Sequence, residues 1–410
     1  MFENFWSDKS LNYAALAIPA FFLFLGLEYM TALHKNRRNL FKFDSSITNI
    51  SIGIAERLLN LFLTAFFYGV FNYVYEHFAI WSIPNHWIVW ILLLLITDLI
   101  WYWYHRLGHE INLFWAAHIV HHHSEEFNYS VSARITTLQA IVRNAFWIVL
   151  PLAGFHPTLV MSILIIHGTY SFFTHTQVIG KLGWLEYILI TPSHHGVHHS
   201  SNEKYLNKNY GDLFVFWDKL FGTFQKEEER PVYGLTHPLK SHSFLWQHFH
   251  YFFELYYATS RVEGIVNKLK IIFGKPEVLD QNIRTEIEKK FFPHRVQGNT
   301  VIRFNVYLVV QIVVVITVLF AIALFYNSVE ALEKIVGSLF IMITLINCGA
   351  MLEQRKWIYY LEYIRLFLIT SYLSFWIESP QAFFLSTVLI IILGASNTPR
   401  KFYLKFVYDI

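Results

Sequence analysis

The sequence contains little cysteine and little charge. Its 410 residues include one cysteine, Cys348, and only 15% are Asp, Glu, Lys or Arg. A disulfide framework and a cysteine-based zinc site are therefore both excluded. The net charge is +3 and the basic residues are scattered, so we expect no nucleic-acid partner. Any bound metal must be held by histidines and carboxylates.

Apolar residues are abundant instead. Hydrophobic residues make up 55% of the chain and aromatic residues 19%, which is typical of a membrane protein. Apolar stretches of about 17–25 residues, long enough to cross about 30 Å of hydrocarbon, recur along the chain. We predict an all-α, polytopic integral membrane protein with about nine transmembrane helices. These are expected near residues 11–33, 47–75, 87–104, 136–155, 157–176, 301–326, 330–350, 357–375 and 377–396.

The basic residues predict how these helices are oriented. They follow the first predicted span, end the third, populate the region 226–295 and flank the last spans. By the positive-inside rule, this pattern puts the N-terminus outside, the C-terminus inside and the histidine clusters described below on the cytosolic face. The membrane is either a bacterial inner membrane or the endoplasmic reticulum.

Three parts are predicted along the chain. Residues 1–260 carry the histidine clusters, residues 261–300 form a charged cytosolic linker, and residues 301–410 form a four-helix membrane domain that contains no histidine. The chemistry is therefore expected in the first part. We interpret the last part as an accessory or stabilising domain.

Three histidine clusters dominate the first part. One cluster has the pattern His-x3-His and the other two have the pattern His-x2-His-His. Residues three and four apart share a helix face, and neutral imidazole binds iron, zinc or copper strongly. In each triplet the first and last histidines can bind one ion while the middle one reaches a second. Two triplets and a pair indicate a dinuclear centre rather than eight surface histidines: His105, His109, His118, His121, His122, His195, His198 and His199.

Other histidines lie near the clusters. His175 ends the fifth predicted span on the same membrane face, so it is either a ninth metal ligand or an interfacial histidine. His123 and His194 extend the clusters but point away from the ligand face. We expect them to support the ligands or to face solvent.

Two carboxylates are candidate catalytic residues. Asp98 lies within an apolar span, where an ionisable group is a functional hypothesis by default. It precedes His105 by seven residues, about 10 Å along a helix, so we expect it to bond a ligand histidine from another helix. A purely structural partner is the alternative. Glu110 directly follows the first cluster and is a candidate for binding a polar cofactor; the alternative is a solvated interfacial carboxylate.

The ligand chemistry favours iron. An all-imidazole set without thiolate suits iron, zinc or copper. A site at the mouth of apolar helices suggests an apolar substrate, and attack on its unactivated C–H bonds requires oxygen chemistry. The sequence therefore favours a di-iron oxygenase.

The clusters also carry a family resemblance. Together with Trp103-Tyr104-His105-Arg106 and the segments Asn209-Tyr210-Gly211 and 217–223, they resemble the fatty acid hydroxylase/sterol desaturase superfamily of membrane di-iron oxygenases. The segments 105–110, 191–199 and 233–238 and the long C-terminal extension are most similar to the branch that cleaves the ether bond of alkylglycerols.

The resemblance implies specific properties. It implies two Fe2+ ions on the eight cluster histidines, O2 as oxidant, a membrane lipid as substrate, and tetrahydrobiopterin as electron donor with Glu110 involved in its use. His123 and Gly196 depart from the pattern without removing a ligand. Alternatives remain a sterol desaturase or methyl oxidase, or a fatty-acid or carotenoid hydroxylase, each with a protein redox donor, and, more distantly, a metal transporter.

Overall fold

The computed structural model describes residues 11–291 and 302–408. Within these ranges the chain is helical and forms no strand, although two isolated antiparallel bridges join Leu189 to Phe214 and Ser200 to Tyr233. The all-α class predicted from composition is confirmed. The α-helices are α1 (Ala17–His34), α2 (Phe43–Phe78), α3 (Trp87–Glu110), α4 (Asn112–His118), α5 (Tyr129–Ser132), α6 (Thr137–Trp147), α7 (Val149–Ala153), α8 (Pro157–Phe173), α9 (Pro192–His198), α10 (Phe216–Leu220), α11 (Phe244–Ser260), α12 (Ile265–Ile272), α13 (Asn282–Phe291), α14 (Ile302–Leu324), α15 (Ala331–Leu352), α16 (Ile358–Trp376), α17 (Pro380–Ala395) and α18 (Asn397–Tyr408).

Five helices of the described ranges are long and apolar enough to cross a membrane. A sixth is added if α17 and α18, bent by 76° at their junction, count as one broken span. The chain is therefore a membrane protein, but the nine crossings predicted from the sequence are not confirmed. The five are Tyr13–His34, Phe43–Phe78, Trp87–Glu110, Asn305–Leu324 and Ala331–Leu352.

The fourth and fifth predicted spans are not among these five helices, for a physical reason. The apolar run 136–155 is divided at Ile148 into α6 and α7. The run 157–176 forms α8, whose 17 residues rise about 26 Å, less than the hydrocarbon thickness. Apolar composition predicts a span at both places because it does not show where a helix breaks or ends.

The chain folds into two compact units. One contains residues 24–240 and 247–293 and includes every histidine cluster. Its apolar core joins α2, α3 and α8 through side chains such as Phe71, Leu93 and Val160. Because these helices pack closely, the C-terminal end of α3 and the segments that follow it are held in fixed positions.

The other unit contains α14–α18 with residues 11–23 and 241–246. A buried polar network connects its helices. The Glu362 carboxylate accepts hydrogen bonds from Tyr307, Asn347 and Tyr403 and pairs with Arg365. Buried ionisable groups of this kind in a helical bundle are satisfied by one another, so they fix the packing register of the helices.

Gly53 marks the closest approach in the cluster-bearing unit. A Cβ placed there would lie 2.6 Å from the Ala133 Cβ and 3.0 Å from its carbonyl oxygen. Gly53→Ala is therefore expected to lower the free energy of unfolding by about 1–3 kcal/mol through overpacking. Gly69→Ala, on the same helix with nothing within 4 Å, is the matched control. Thermal unfolding in detergent checks this; equal stability of the two variants would contradict it.

Candidate metal centre

Nine buried or half-buried histidines form two adjacent groups. Within each group, one ring nitrogen of every member lies within 4.8 Å of those of all other members. The structure thus brings together the eight cluster histidines and also His175. The first histidine group is His105, His109, His118, His122 and His198; the second histidine group is His121, His175, His195 and His199.

Helical spacing explains this division. Helix α3 continues through His105 to Glu110, so His105 and His109 share a face. In the second cluster, His118 and His122 belong to the first group and His121 to the second. The outer pair and the inner member thus face different groups, as the spacing predicts.

In the third cluster, the outer pair and the inner member belong to the opposite groups from those of the second cluster. Helix α9 begins at Pro192 after a capping box formed by Thr191 and His194. Its outer pair, His195 and His199, belongs to the second group, and its inner member His198 to the first. Each triplet therefore contributes to both groups.

The ring nitrogens of each group converge closely. His118 Nε2 lies 3.1 Å from His105 Nε2 and 3.2 Å from His122 Nε2. His175 Nε2 lies 3.2 Å from His121 Nε2 and 3.0 Å from His195 Nε2. Two nitrogens bonded to one ion at about 2.1 Å and at right angles to each other are about 3 Å apart. This spacing fits a metal ion in each group.

Unsatisfied nitrogens support the same fit. Within the described residues, His109 Nε2 and His198 Nε2 are buried without a hydrogen-bond partner. A buried polar atom without a partner is costly unless something else binds it. The donor set is imidazole only, which suits a divalent transition metal such as iron.

Backbone carbonyls orient three of the rings. His105 Nδ1 donates to the Tyr210 carbonyl oxygen at 2.8 Å and His198 Nδ1 to that of Lys208 at 2.9 Å. In the second group, His175 Nδ1 donates to the Ser171 carbonyl oxygen at 2.8 Å. With Nδ1 protonated, each Nε2 presents its lone pair to its group.

Burial keeps the imidazoles neutral. It lowers the pKa well below the usual value for the histidines of the two triplets, and the repulsion of neighbouring imidazoles adds to the effect. Only the neutral form binds metal. The site is therefore ready to take up cations at neutral pH.

Asp98 lies beside the centre but not within it. Its buried carboxylate accepts hydrogen bonds from the Trp217 indole and from two backbone amides of residues 213 and 214, each at 3.0 Å, and from His167 Nε2 at 2.8 Å. We expected its partner to be a ligand histidine; His167 does come from another helix, α8, but belongs to neither group. Asp98 instead anchors the segment that follows Tyr210 onto α3.

Sequence reasoning missed the rest of this arrangement. His167 Nδ1 lies 2.9 Å from the buried carboxylate of Asp212, so the ring faces a carboxylate at each nitrogen. An imidazole donates from both nitrogens only as imidazolium. A histidine in the middle of the apolar run 157–176 was the available signal. Asp212, which lies in a loop, gave none.

The remaining candidates are outside both groups. Glu110 is half-buried and pairs with Arg106 at 2.9 Å. His123 Nδ1 lies 2.6 Å from the Gln247 side-chain oxygen, and His194 caps α9. His237 is exposed. These positions agree with a supporting or peripheral place for each.

Comparison with known proteins decides the family. Residues 90–223 match the family described as fatty acid hydroxylase. The chain is 34% identical over 358 residues to the alkylglycerol monooxygenase of Homo sapiens, covering 84% of this chain and 78% of the human protein. The chain belongs to the alkylglycerol monooxygenase family. It is therefore a monooxygenase of the fatty acid hydroxylase class, and the resemblance stated from its histidine clusters is confirmed.

Further relatives agree with alkylglycerol monooxygenase family membership. The alkylglycerol monooxygenase of Danio rerio is 32% identical over 368 residues, 87% of this chain and 81% of that protein. An ornithine lipid hydroxylase of Rhizobium tropici is 32% identical over 135 residues, 33% of this chain and 41% of that protein. No solved structure matches the chain. These relatives indicate a lipid as the substrate of this monooxygenase.

His175 provides the sharpest test of the second group in this alkylglycerol monooxygenase relative. His175→Ala removes one of the four nitrogens of the second group. The purified protein is expected to lose about one metal ion per chain, because only three imidazoles are left and the ion of that group is bound more weakly. Exposed His237→Ala is the control. Metal analysis after purification measures the difference; equal metal content in both variants would contradict the assignment.

Proposed function

We propose that the chain oxidises an ether lipid with O2 at a di-iron centre, one iron in each histidine group. The substrate is an alkylglycerol, and the carbon beside its ether oxygen is hydroxylated. One oxygen atom of O2 enters that carbon and the other leaves as water, with two electrons and two protons from tetrahydrobiopterin. The resulting hemiacetal separates into an aldehyde and a glycerol derivative.

One observation carries this proposal: two adjacent all-imidazole groups lie in a chain related over most of its length to alkylglycerol monooxygenases. His105, His109, His118, His122 and His198 would hold one ion and His121, His175, His195 and His199 the other. When bound, iron supplies the O2 activation that attack on a saturated C–H bond requires. Copper and zinc fit the nitrogens, but zinc has no redox chemistry.

The side chains around the groups exclude water. Trp115 packs against His109 and His122 with ring centroids 4.8 and 5.6 Å apart. Phe127 covers the second group, 5.6 Å from His175 and 5.2 Å from His199. A dry site protects reactive oxygen species from side reactions. These aromatic contacts therefore support an oxygenase over a site for exchangeable metal.

The relatives favour one substrate among several. Proteins named as hydroxylases of ornithine lipid and of cholesterol match about a third of the chain, whereas alkylglycerol monooxygenases match most of it, residues beyond the histidine groups included. Substrate selection involves parts of the chain outside the metal centre, so the longer match favours the ether lipid. A sterol, fatty-acid or carotenoid oxidation is the alternative.

Transport of metal is the more distant alternative. A transporter places its ligands near the membrane midplane between discontinuous helices. Here the nitrogens gather at the C-terminal end of α3 and on short helices that follow it, α4 and α9. This placement supports a fixed cofactor.

The predicted topology completes the proposal. The division into a histidine domain (1–260), a linker (261–300) and a C-terminal membrane domain (301–410), the nine crossings and a cytosolic active site all stay predictions. We keep these predictions because the distribution of basic residues along the chain supports this orientation. A cytosolic site would give access to a soluble pterin.

An activity assay tests the substrate. Purified protein in detergent, loaded with Fe2+ and given 1-O-alkylglycerol, O2 and reduced tetrahydrobiopterin, is expected to release a fatty aldehyde. Protein with His118→Ala is expected to release none, because the first group then lacks a central nitrogen. Cholesterol, a free fatty acid and a protein redox donor serve as alternative reactants. Oxidation of those, with no aldehyde under any pterin condition, would refute the proposal.

Glu110 tests the pterin. Glu110→Gln is expected to raise the KM for tetrahydrobiopterin about tenfold, the loss of one charge-assisted hydrogen bond, with metal content unchanged. Its ion pair with Arg106 is partly exposed, so stability should fall by no more than about 1 kcal/mol. Glu228→Gln, which removes the exposed pair with Lys204, is the control. An unchanged KM would remove Glu110 from the pterin site.

A further inference from the structure

We infer that Asn209 is a positioning residue for the first histidine group alone. Replacement of Asn209 should weaken metal binding in the first histidine group and leave metal binding in the second group unchanged. The inference rests on the proposed di-iron function, because it requires an ion in each group. It concerns residues 208–211, which we call the carbonyl strap.

The carbonyl strap sets the orientation of two rings. The carbonyl oxygens of Lys208 and Tyr210, on either side of Asn209, accept the Nδ1 protons of His198 and His105. Those two histidines come from different helices, α9 and α3. The strap therefore fixes which nitrogen each ring presents to the first group.

Asn209 holds the strap in an unusual conformation. Its φ of 55° lies in the left-handed region, which asparagine adopts more readily than most residues. Its Nδ2 donates to the carbonyl oxygens of His194 at 3.0 Å and Gln225 at 2.8 Å, and its Oδ1 accepts from the Gln225 amide at 2.8 Å. The side chain is fully buried. It thus links the strap to the segment that enters α9.

Asp218 fixes the other side of the strap. Its carboxylate accepts from the amides of Tyr210 and Gly211, each at 2.8 Å. A Cβ at position 211 would lie 2.8 Å from the same carboxylate, so glycine permits the approach. The Tyr210 carbonyl is consequently held between Asn209 and Asp218.

The second group is oriented in a different way. His175, two residues after the end of α8, donates to the carbonyl oxygen of Ser171 in the last turn of that helix. His121 Nδ1 and His195 Nδ1 have no hydrogen-bond partner within residues 11–291 and 302–408. Among the hydrogen bonds that the structure describes, the strap carbonyls accept from the first group only. The effect of a strap variant should therefore be confined to one ion.

Two variants separate positioning from folding. Asn209→Gly keeps the left-handed backbone accessible and removes the three side-chain hydrogen bonds. Asn209→Asp keeps the shape but sets an oxygen against two carbonyl oxygens. Asn207→Gly is the matched control, since Asn207 also has a left-handed φ, of 59°, but is exposed and bonds Glu277.

Iron titration measures the outcome. Full-length protein, made metal-free in detergent, is titrated with Fe2+ against a chelator without O2. Wild type and Asn207→Gly are expected to bind two ions; both Asn209 variants should bind one of them about 10–100-fold more weakly, the usual effect of losing an outer-shell partner. At limiting iron, oxidised Asn209 variants should give the paramagnetic resonance signal of an isolated ferric ion.

The result distinguishes this inference from the function on which it rests. Two ions of unchanged affinity in both Asn209 variants, or equal weakening of both ions, would overturn the role of Asn209 and leave the di-iron proposal intact. A wild-type protein that binds fewer than two ions would overturn both. Thermal unfolding of the metal-free forms shows whether each variant is folded. If Asn209→Gly does not fold, the result for Asn209→Asp decides.

Discussion

The mutual approach of imidazole nitrogens is the interaction on which the rest of this structure depends. In each group, Nε2 atoms of neighbouring rings lie 3.0–3.2 Å apart in a buried site. The rings stay neutral, because burial disfavours the charged form. The surrounding helices therefore hold several neutral imidazoles close together, an arrangement that a bound metal ion would stabilise, and tight packing of α2, α3 and α8 supplies the rigidity this requires.

Charges outside the groups are arranged to complement this constraint. The carboxylates of Asp98 and Asp212 both contact His167, and that of Asp98 also accepts hydrogen bonds from backbone amides. Neither carboxylate belongs to a histidine group. Asp218 is likewise occupied by the carbonyl strap. In the described residues no carboxylate belongs to either histidine group. Acidic residues thus shape the loops that orient the histidines, while imidazoles alone form the two histidine groups.

Much of the site was predictable because it depends on local spacing. The separation of three and four residues in each triplet fixes which rings share a helix face, and His175 was expected at the same place. The partners of Asp98 and His105 were not predictable. His167 lies 69 residues from Asp98 on another helix, and Tyr210 lies 105 residues from His105 on a loop whose path no local pattern describes. The count of nine spans is not confirmed where the apolar composition continues through a helix break at Ile148 or past the end of α8.

The two triplets place their outer and inner histidines in opposite groups, and this has a geometric consequence. In each triplet one histidine crosses to the other group, three residues from the first outer ligand. The rise over these residues is about 4.5 Å in the α-helix Pro192–His198 and about 6 Å along the 3-10 helix Ile119–His122. In the proposed centre, the distance between the ions would be set by these two lengths of backbone helix rather than by a bridging side chain. Because a helix resists changes in length, that distance would depend on the fold and not on the oxidation state of the ions.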